Sequence, residues 1–133
     1  MNINLIVVFI VIIIVIIYFD LFACIINDEN NKDYLYICDG TGILTIFDLN
    51  KKEIIKEIQI MKDITSILNW NNKCIIISTI KNIYTFDTNI NKFISKYLID
   101  TNGEIISIKK VNRDKYHPLY LCFSTSEGII GIL

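Results

Sequence analysis

Phe47-Asp48-Leu49-Asn50 returns as Phe86-Asp87-Thr88-Asn89 further along the chain. The repetition extends in both directions from that pair. Lys52, Ile54 and Lys56 match Lys92, Ile94 and Lys96 with a single insertion, and Ile64-Thr65-Ser66-Ile67 returns as Ile105-Ile106-Ser107-Ile108 at a closely similar interval. Ile77-Ser78-Thr79 returns as Phe123-Ser124-Thr125 at a longer interval, the extra length falling in the polar loop 112–118. A period of about 40 residues means one supersecondary unit built repeatedly, so it bears on the fold more than any single segment does.

The unit is made of strands. Short apolar runs at 34–38, 43–47, 53–60, 64–70, 74–79, 82–86, 93–99, 104–111, 119–124 and from 129 onward are separated by Asn, Asp, Gly, Lys and Thr. That rhythm predicts an all-β meander. Cys74-Ile75-Ile76-Ile77 and Leu121-Cys122-Phe123 show no polar alternation, which predicts sheets buried on both faces. Asp48 and Asp87 stand at strand ends before Asn-containing turns, where an Asp side chain bonds backbone two residues on.

In Cys38-Asp39-Gly40-Thr41-Gly42-Ile43-Leu44-Thr45-Ile46-Phe47-Asp48-Leu49 the chain resembles the end-of-blade pattern of the WD-repeat family. Phe47-Asp48 and Phe86-Asp87 stand where that family often has Trp-Asp, and Ser126-Glu127-Gly128 stands where Asp39-Gly40 does in the first copy. The resemblance covers residues 34–133. It implies a β-propeller of four-stranded antiparallel blades at about 34–62, 63–102 and 103–133, with Asp39, Gly40, Asp48, Asp87 and Gly128 in structural turns. The family's Gly-His dipeptide is absent, and the single histidine, His117, lies in the 112–118 insertion. With three strands in the first unit, four in the second and three in the last, the ring is expected to be incomplete: part of a longer propeller, or one completed by another chain. Propellers usually close with four to eight blades.

From Leu5 to Phe19 every residue is apolar, and beyond Asp20 the run continues through Ile26. As a helix the uninterrupted part would span roughly 22 Å and the longer part about 33 Å, against a hydrocarbon core of about 30 Å. Residues 1–26 are therefore expected to form a hydrophobic helical segment that inserts into a membrane through residues 3–26, followed by a polar linker at 27–33. The alternative is one or two buried strands, since Val and Ile favour strands. No Lys or Arg precedes the segment, which weighs against a cleaved secretory signal.

A net charge of −1 supplies no field for nucleic acid. The four cysteines, Cys24, Cys38, Cys74 and Cys122, contain no CxxC pair and lack histidine partners, so neither zinc nor any other cofactor is expected. Asp39-Gly40-Thr41-Gly42 lacks the Gly-Lys-Ser/Thr ending of a P-loop and enters a β-run, which makes it a hairpin turn. One histidine followed by proline offers no Ser-His or Cys-His pair.

These absences, with the resemblance, lead to the expectation of a non-catalytic interaction scaffold with a protein or peptide partner. The longest loop is the expected recognition segment, with Lys110, Arg113, Lys115, Tyr116 and His117 as its candidates. The alternative is a membrane-anchored propeller acting in trafficking or secretory-pathway assembly. Membrane-associated and cytoplasmic locations both fit the sequence.

Overall fold

The computed structural model describes residues 6–10, 21–112 and 119–133, and in these the chain is almost wholly β. Eleven strands follow in order: β1 (Phe22–Asn27), β2 (Asp33–Cys38), β3 (Ile43–Asp48), β4 (Glu53–Gln59), β5 (Ile64–Asn69), β6 (Cys74–Thr79), β7 (Asn82–Asp87), β8 (Lys92–Leu98), β9 (Ile105–Val111), β10 (Tyr120–Thr125) and β11 (Ile130–Ile132). They form three antiparallel meanders, β1-β2-β3-β4, β5-β6-β7-β8 and β9-β10-β11, here called sheets 1, 2 and 3. The sheets do not form a closed ring among the described residues.

Stacking of the sheets explains the unbroken apolar runs. Ile75, Ile77 and Phe86 of sheet 2 pack with Ile26, Tyr36, Cys38, Leu44 and Ile46 of sheet 1, while Ile76 and Ile83 turn the other way onto Ile105, Ile108, Leu121 and Phe123 of sheet 3. Sheet 2 is thus dry on both faces, and five of the six residues in β6 are buried. Each fully buried Ile contributes on the order of 2 kcal/mol of transfer free energy. The first strands lie side by side, β1 against β5 and β5 against β9.

The registers make the repeat structural. Ile64 pairs with Thr79 and Ile105 with Thr125, each beside a bulge that skips the following residue, Thr65 or Ile106. In the β3–β4 and β7–β8 hairpins a bulge falls at Ile46/Phe47 and at Thr85/Phe86. Phe47 pairs with Ile54 and Phe86 with Phe93, so the offset that relates Asp48 to Asp87 runs on through both hairpins without the insertion that the Lys-Ile-Lys match suggests. Ile54 is equivalent to Phe93, and the apparent match to Ile94 comes from an abundance of Ile and Lys.

Sheet 1 differs from expectation at its start. Its fourth strand, β1, occupies Phe22–Asn27, inside the segment read as helical, and residues 27–33 are the tight β1–β2 hairpin in place of a linker. Phe22, Cys24 and Ile26 all face sheet 2, and this is the buried-strand alternative for that stretch. Asn27 donates to Asp33 Oδ1, and Asp28 Oδ1 accepts from the backbone N–H groups of Asn30 and Lys32, which closes the turn. Of the rest of the segment, residues 6–10 are helical, and the anchor expectation for 1–5 and 11–20 lies outside the described residues. Among the described residues no helix is long and apolar enough to cross a membrane.

Candidate functional site

At one end of the stack sheets 1 and 2 part to leave a cleft of about 260 Å³. Its floor is Ile26 from β1, Tyr34 and Tyr36 from β2, and Ile46 from β3. Its rim comes from turns and an outer strand: Asp28, Lys56, Asn72, Thr88, Asn89 and Asn91. Period-2 alternation places Tyr34 and Tyr36 on the same face of β2, and Asp87 sets the turn that carries the rim residues. Asp87 Oδ1 accepts from the backbone N–H groups of Asn89 and Ile90, at 2.8 and 3.2 Å. Thr88 is fixed by two bonds to the Lys73 carbonyl oxygen, one from its backbone N–H and one from its hydroxyl, both 2.8 Å.

The chemistry of this cleft is that of recognition. Burial pushes the Tyr36 phenol up to about 12 against an opposing hydrogen bond with the Thr88 side chain. Burial, reinforced by Asp28 and Asp48, raises Tyr34 as well, so both phenols keep their protons at neutral pH. Asn91 Oδ1 is buried and accepts no hydrogen bond among the described residues. A buried carbonyl left unpaired costs about 1–3 kcal/mol. Lys73 and Glu29 form an exposed ion pair of 2.7 Å between the β5–β6 and β1–β2 turns, a minor tie between the sheets.

A second cleft, of about 310 Å³, lies between sheets 2 and 3 and is lined mainly by apolar groups, Trp70, Ile76, Ile83, Tyr97 and Leu121 among them. No cluster of three or more His, Cys, Asp or Glu capable of holding a metal occurs among the described residues. Burial pushes the thiols of Cys24 and Cys38 up to about 12, and raises Cys74 too, the reverse of what a thiolate nucleophile requires.

The residues expected from the sequence fall in several places. Asp39 Oδ1 accepts from the backbone N–H and the hydroxyl of Thr41 in the β2–β3 turn, and that hydroxyl bond holds its carboxyl below the ordinary value. Asp48 Oδ1 accepts from Asn50 N and Lys51 N, both at 2.9 Å. Gly40 meets nothing that a side chain would disturb; the conformational demand falls on Gly42, at φ +86°, where a Cβ would lie 2.2 Å from the Met61 carbonyl oxygen. Gly128 also has positive φ, at +79° in the β10–β11 turn.

Lys110 stands before the 112–118 loop expected to bind a partner. It belongs to β9, its ammonium donates to the Trp70 carbonyl oxygen and it sits 5.7 Å above the Trp70 ring. The strand carries a lysine because the long stem lies along apolar surface while the charged end finds a carbonyl and an aromatic face. Asn69, in the equivalent place on β5, donates in the same manner to the Ile25 carbonyl oxygen on β1. Asn69 thus ties β5 to β1, and Lys110 ties β9 to the residue that follows β5. Arg113, Lys115, Tyr116 and His117 lie outside the described residues.

Sequence reasoning misses the cleft between sheets 1 and 2, because its floor includes a strand hidden in the apolar run and its rim is assembled from four separate segments. The Asp87-Thr88-Asn89 motif is the one available signal. No protein-family model matches the chain, and no curated protein matches it.

Proposed function

We propose that this chain is a non-catalytic protein-binding scaffold of the WD-repeat β-propeller type, and that it takes an extended peptide in the cleft between sheets 1 and 2. The blade reading is supported by four-stranded antiparallel meanders whose first strands run side by side, the arrangement that radial stacking of blades requires. The observation that carries the binding reading is an open cleft in which two protonated tyrosines face a rim of Asn and Thr side chains. An extended peptide supplies backbone N–H donors and carbonyl acceptors for the amides and hydroxyls of the rim, and side chains for the aromatic floor.

Selection of a random dodecamer peptide library on the full chain tests this. Selected peptides should lose at least tenfold in affinity to Asn91→Gly, which keeps the positive-φ backbone (φ 53°) while deleting the amide. Failure of the library to enrich, or equal binding by Asn91→Gly, contradicts the reading. A second reading, a membrane-anchored propeller in trafficking or secretory-pathway assembly, is supported by the apolar helical residues 6–10, where Ile6, Val7 and Ile10 are exposed. Retention of the chain in the membrane pellet after carbonate extraction favours it, and release removes it.

A further inference from the structure

The cleft between sheets 2 and 3 occupies the same place in the repeat as the one between sheets 1 and 2. Tyr36 and Ile46, paired across β2 and β3, have Ile76 and Thr85 as their counterparts across β6 and β7, and Ile26 has Trp70. At about 310 Å³ the second cleft lies at the small end of the roughly 300–1,000 Å³ that small-molecule sites occupy. Of its lining, Tyr97, Leu119 and Leu133 are exposed, so apolar surface there stays wet until an apolar body covers it.

A cation stands beside this apolar lining. Lys110 pairs across sheet 3 with Leu121, which places both side chains on the face turned to sheet 2, and Leu121 exchanges backbone bonds of 2.8 and 3.3 Å with Leu133. Lys110, Leu121 and Leu133 thus form a row over two strand spacings, roughly 9.5 Å, with an ammonium at one end and apolar groups along the rest. The ammonium gives one N–H to the Trp70 carbonyl oxygen, and among the described residues no carboxylate is paired with it. At the equivalent place between sheets 1 and 2 the neutral amide of Asn69 donates to a backbone carbonyl in the same way. The charge on Lys110 is therefore more than such a tie needs, and it falls at the sheet pair whose cleft is apolar.

We propose that the cleft between sheets 2 and 3 binds a small amphipathic monocarboxylic acid. Its carboxylate rests on the Lys110 ammonium, and its apolar body lies across Leu121 toward Leu133, against Trp70 and Tyr97. One ammonium neutralises one negative charge, and a second charge among these side chains would be desolvated without a partner, which selects a monocarboxylate over a phosphate or a dicarboxylate. The lining has no residue in common with the peptide cleft, so either site can fail without the other.

Octanoate and octanol, alike in their apolar body and different in charge, test this on the full chain, with Trp70, its single tryptophan, as the reporter. Octanoate below its micellar concentration should change Trp70 emission saturably and bind about tenfold or more tighter than octanol, the margin expected of a hydrogen bond between charged groups. Lys110→Met should bring octanoate down to the affinity of octanol. The acid-to-alcohol comparison on the unaltered chain decides the matter even if that variant fails to fold, and Tyr97→Ala, at an exposed position, should weaken both ligands by about threefold or more. Equal binding of acid and alcohol by the unaltered chain overturns the proposal, as does emission that changes without saturating. So does a preference for the acid that persists in Lys110→Met, or a Tyr97→Ala chain that binds both ligands as the unaltered chain does.

Discussion

Asp48 and Asp87, on successive copies of the repeat, close the same turn with the same pair of bonds: in each, one carboxylate oxygen accepts from the backbone N–H groups two and three residues on. The turns match further, since both end on a positive-φ residue, Lys52 or Asn91, before the outer strand begins. Two distant segments with different intervening residues, Leu49-Asn50-Lys51 and Thr88-Asn89-Ile90, take one conformation because the aspartate satisfies amides that the turn would otherwise leave unpaired.

Removing that acceptor should cost most where it is least hydrated. Asp48 is 5% exposed, and Asp48→Ala should lower stability by about 2 kcal/mol, with Asp87→Ala costing about 1 kcal/mol because its turn is wetter. Urea titration with an unchanged slope measures both, and Asp48→Asn should recover most of the loss. An Asp48→Ala chain within about 0.5 kcal/mol of wild type would show that solvent replaces the bonds.

The β2–β3 turn separates two glycines that look alike in the sequence. Gly42→Ala must force a Cβ against the Met61 carbonyl in a left-handed backbone, and should cost about 3 kcal/mol or more. Gly40→Ala meets open space at ordinary φ and should change stability by less than about 0.5 kcal/mol. Equal losses at the two positions would contradict this geometry of the turn.

How far the fold is legible depends on what each segment has to reveal. Strands β2 to β11 are legible to within a residue or two, because Asn, Asp, Gly and Lys mark the turns between apolar runs. β1 is not, since a strand dry on one face and partly covered on the other shows no alternation, and Asp20 is the only polar residue between it and the long apolar run before it. Lys110 reads as a loop residue because its neighbours are basic; its carbonyl and ring partners on Trp70, far earlier in the chain, are visible only in three dimensions. The turn aspartates are legible because their bonds are local. The cleft is not, because its rim alone is assembled from four separate segments.

Alkaline pH offers a test of the buried thiols. Cys24 and Cys38 are raised in the folded chain from about 9 to about 12, so the stability they contribute is fully present below pH 9 and is lost as pH climbs toward 12, when the unfolded thiols ionise and the folded ones do not. The urea midpoint should fall over that interval, and the fall should flatten in a Cys24→Ala, Cys38→Ala chain. Cys38, 0% exposed, should also resist an aromatic disulfide reagent at pH 8 until denaturant is added. Rapid labelling of Cys38 in the native chain would contradict its burial.

The most direct measurement of the binding account is a backbone amide chemical-shift map of the full chain, recorded with and without the tightest peptide selected on it. The account predicts shifts concentrated at Tyr34, Tyr36, Thr88, Asn89 and Asn91, around the cleft between sheets 1 and 2. Shifts centred instead on Trp70, Tyr97 and Leu121, or no saturable shift at all, would contradict it.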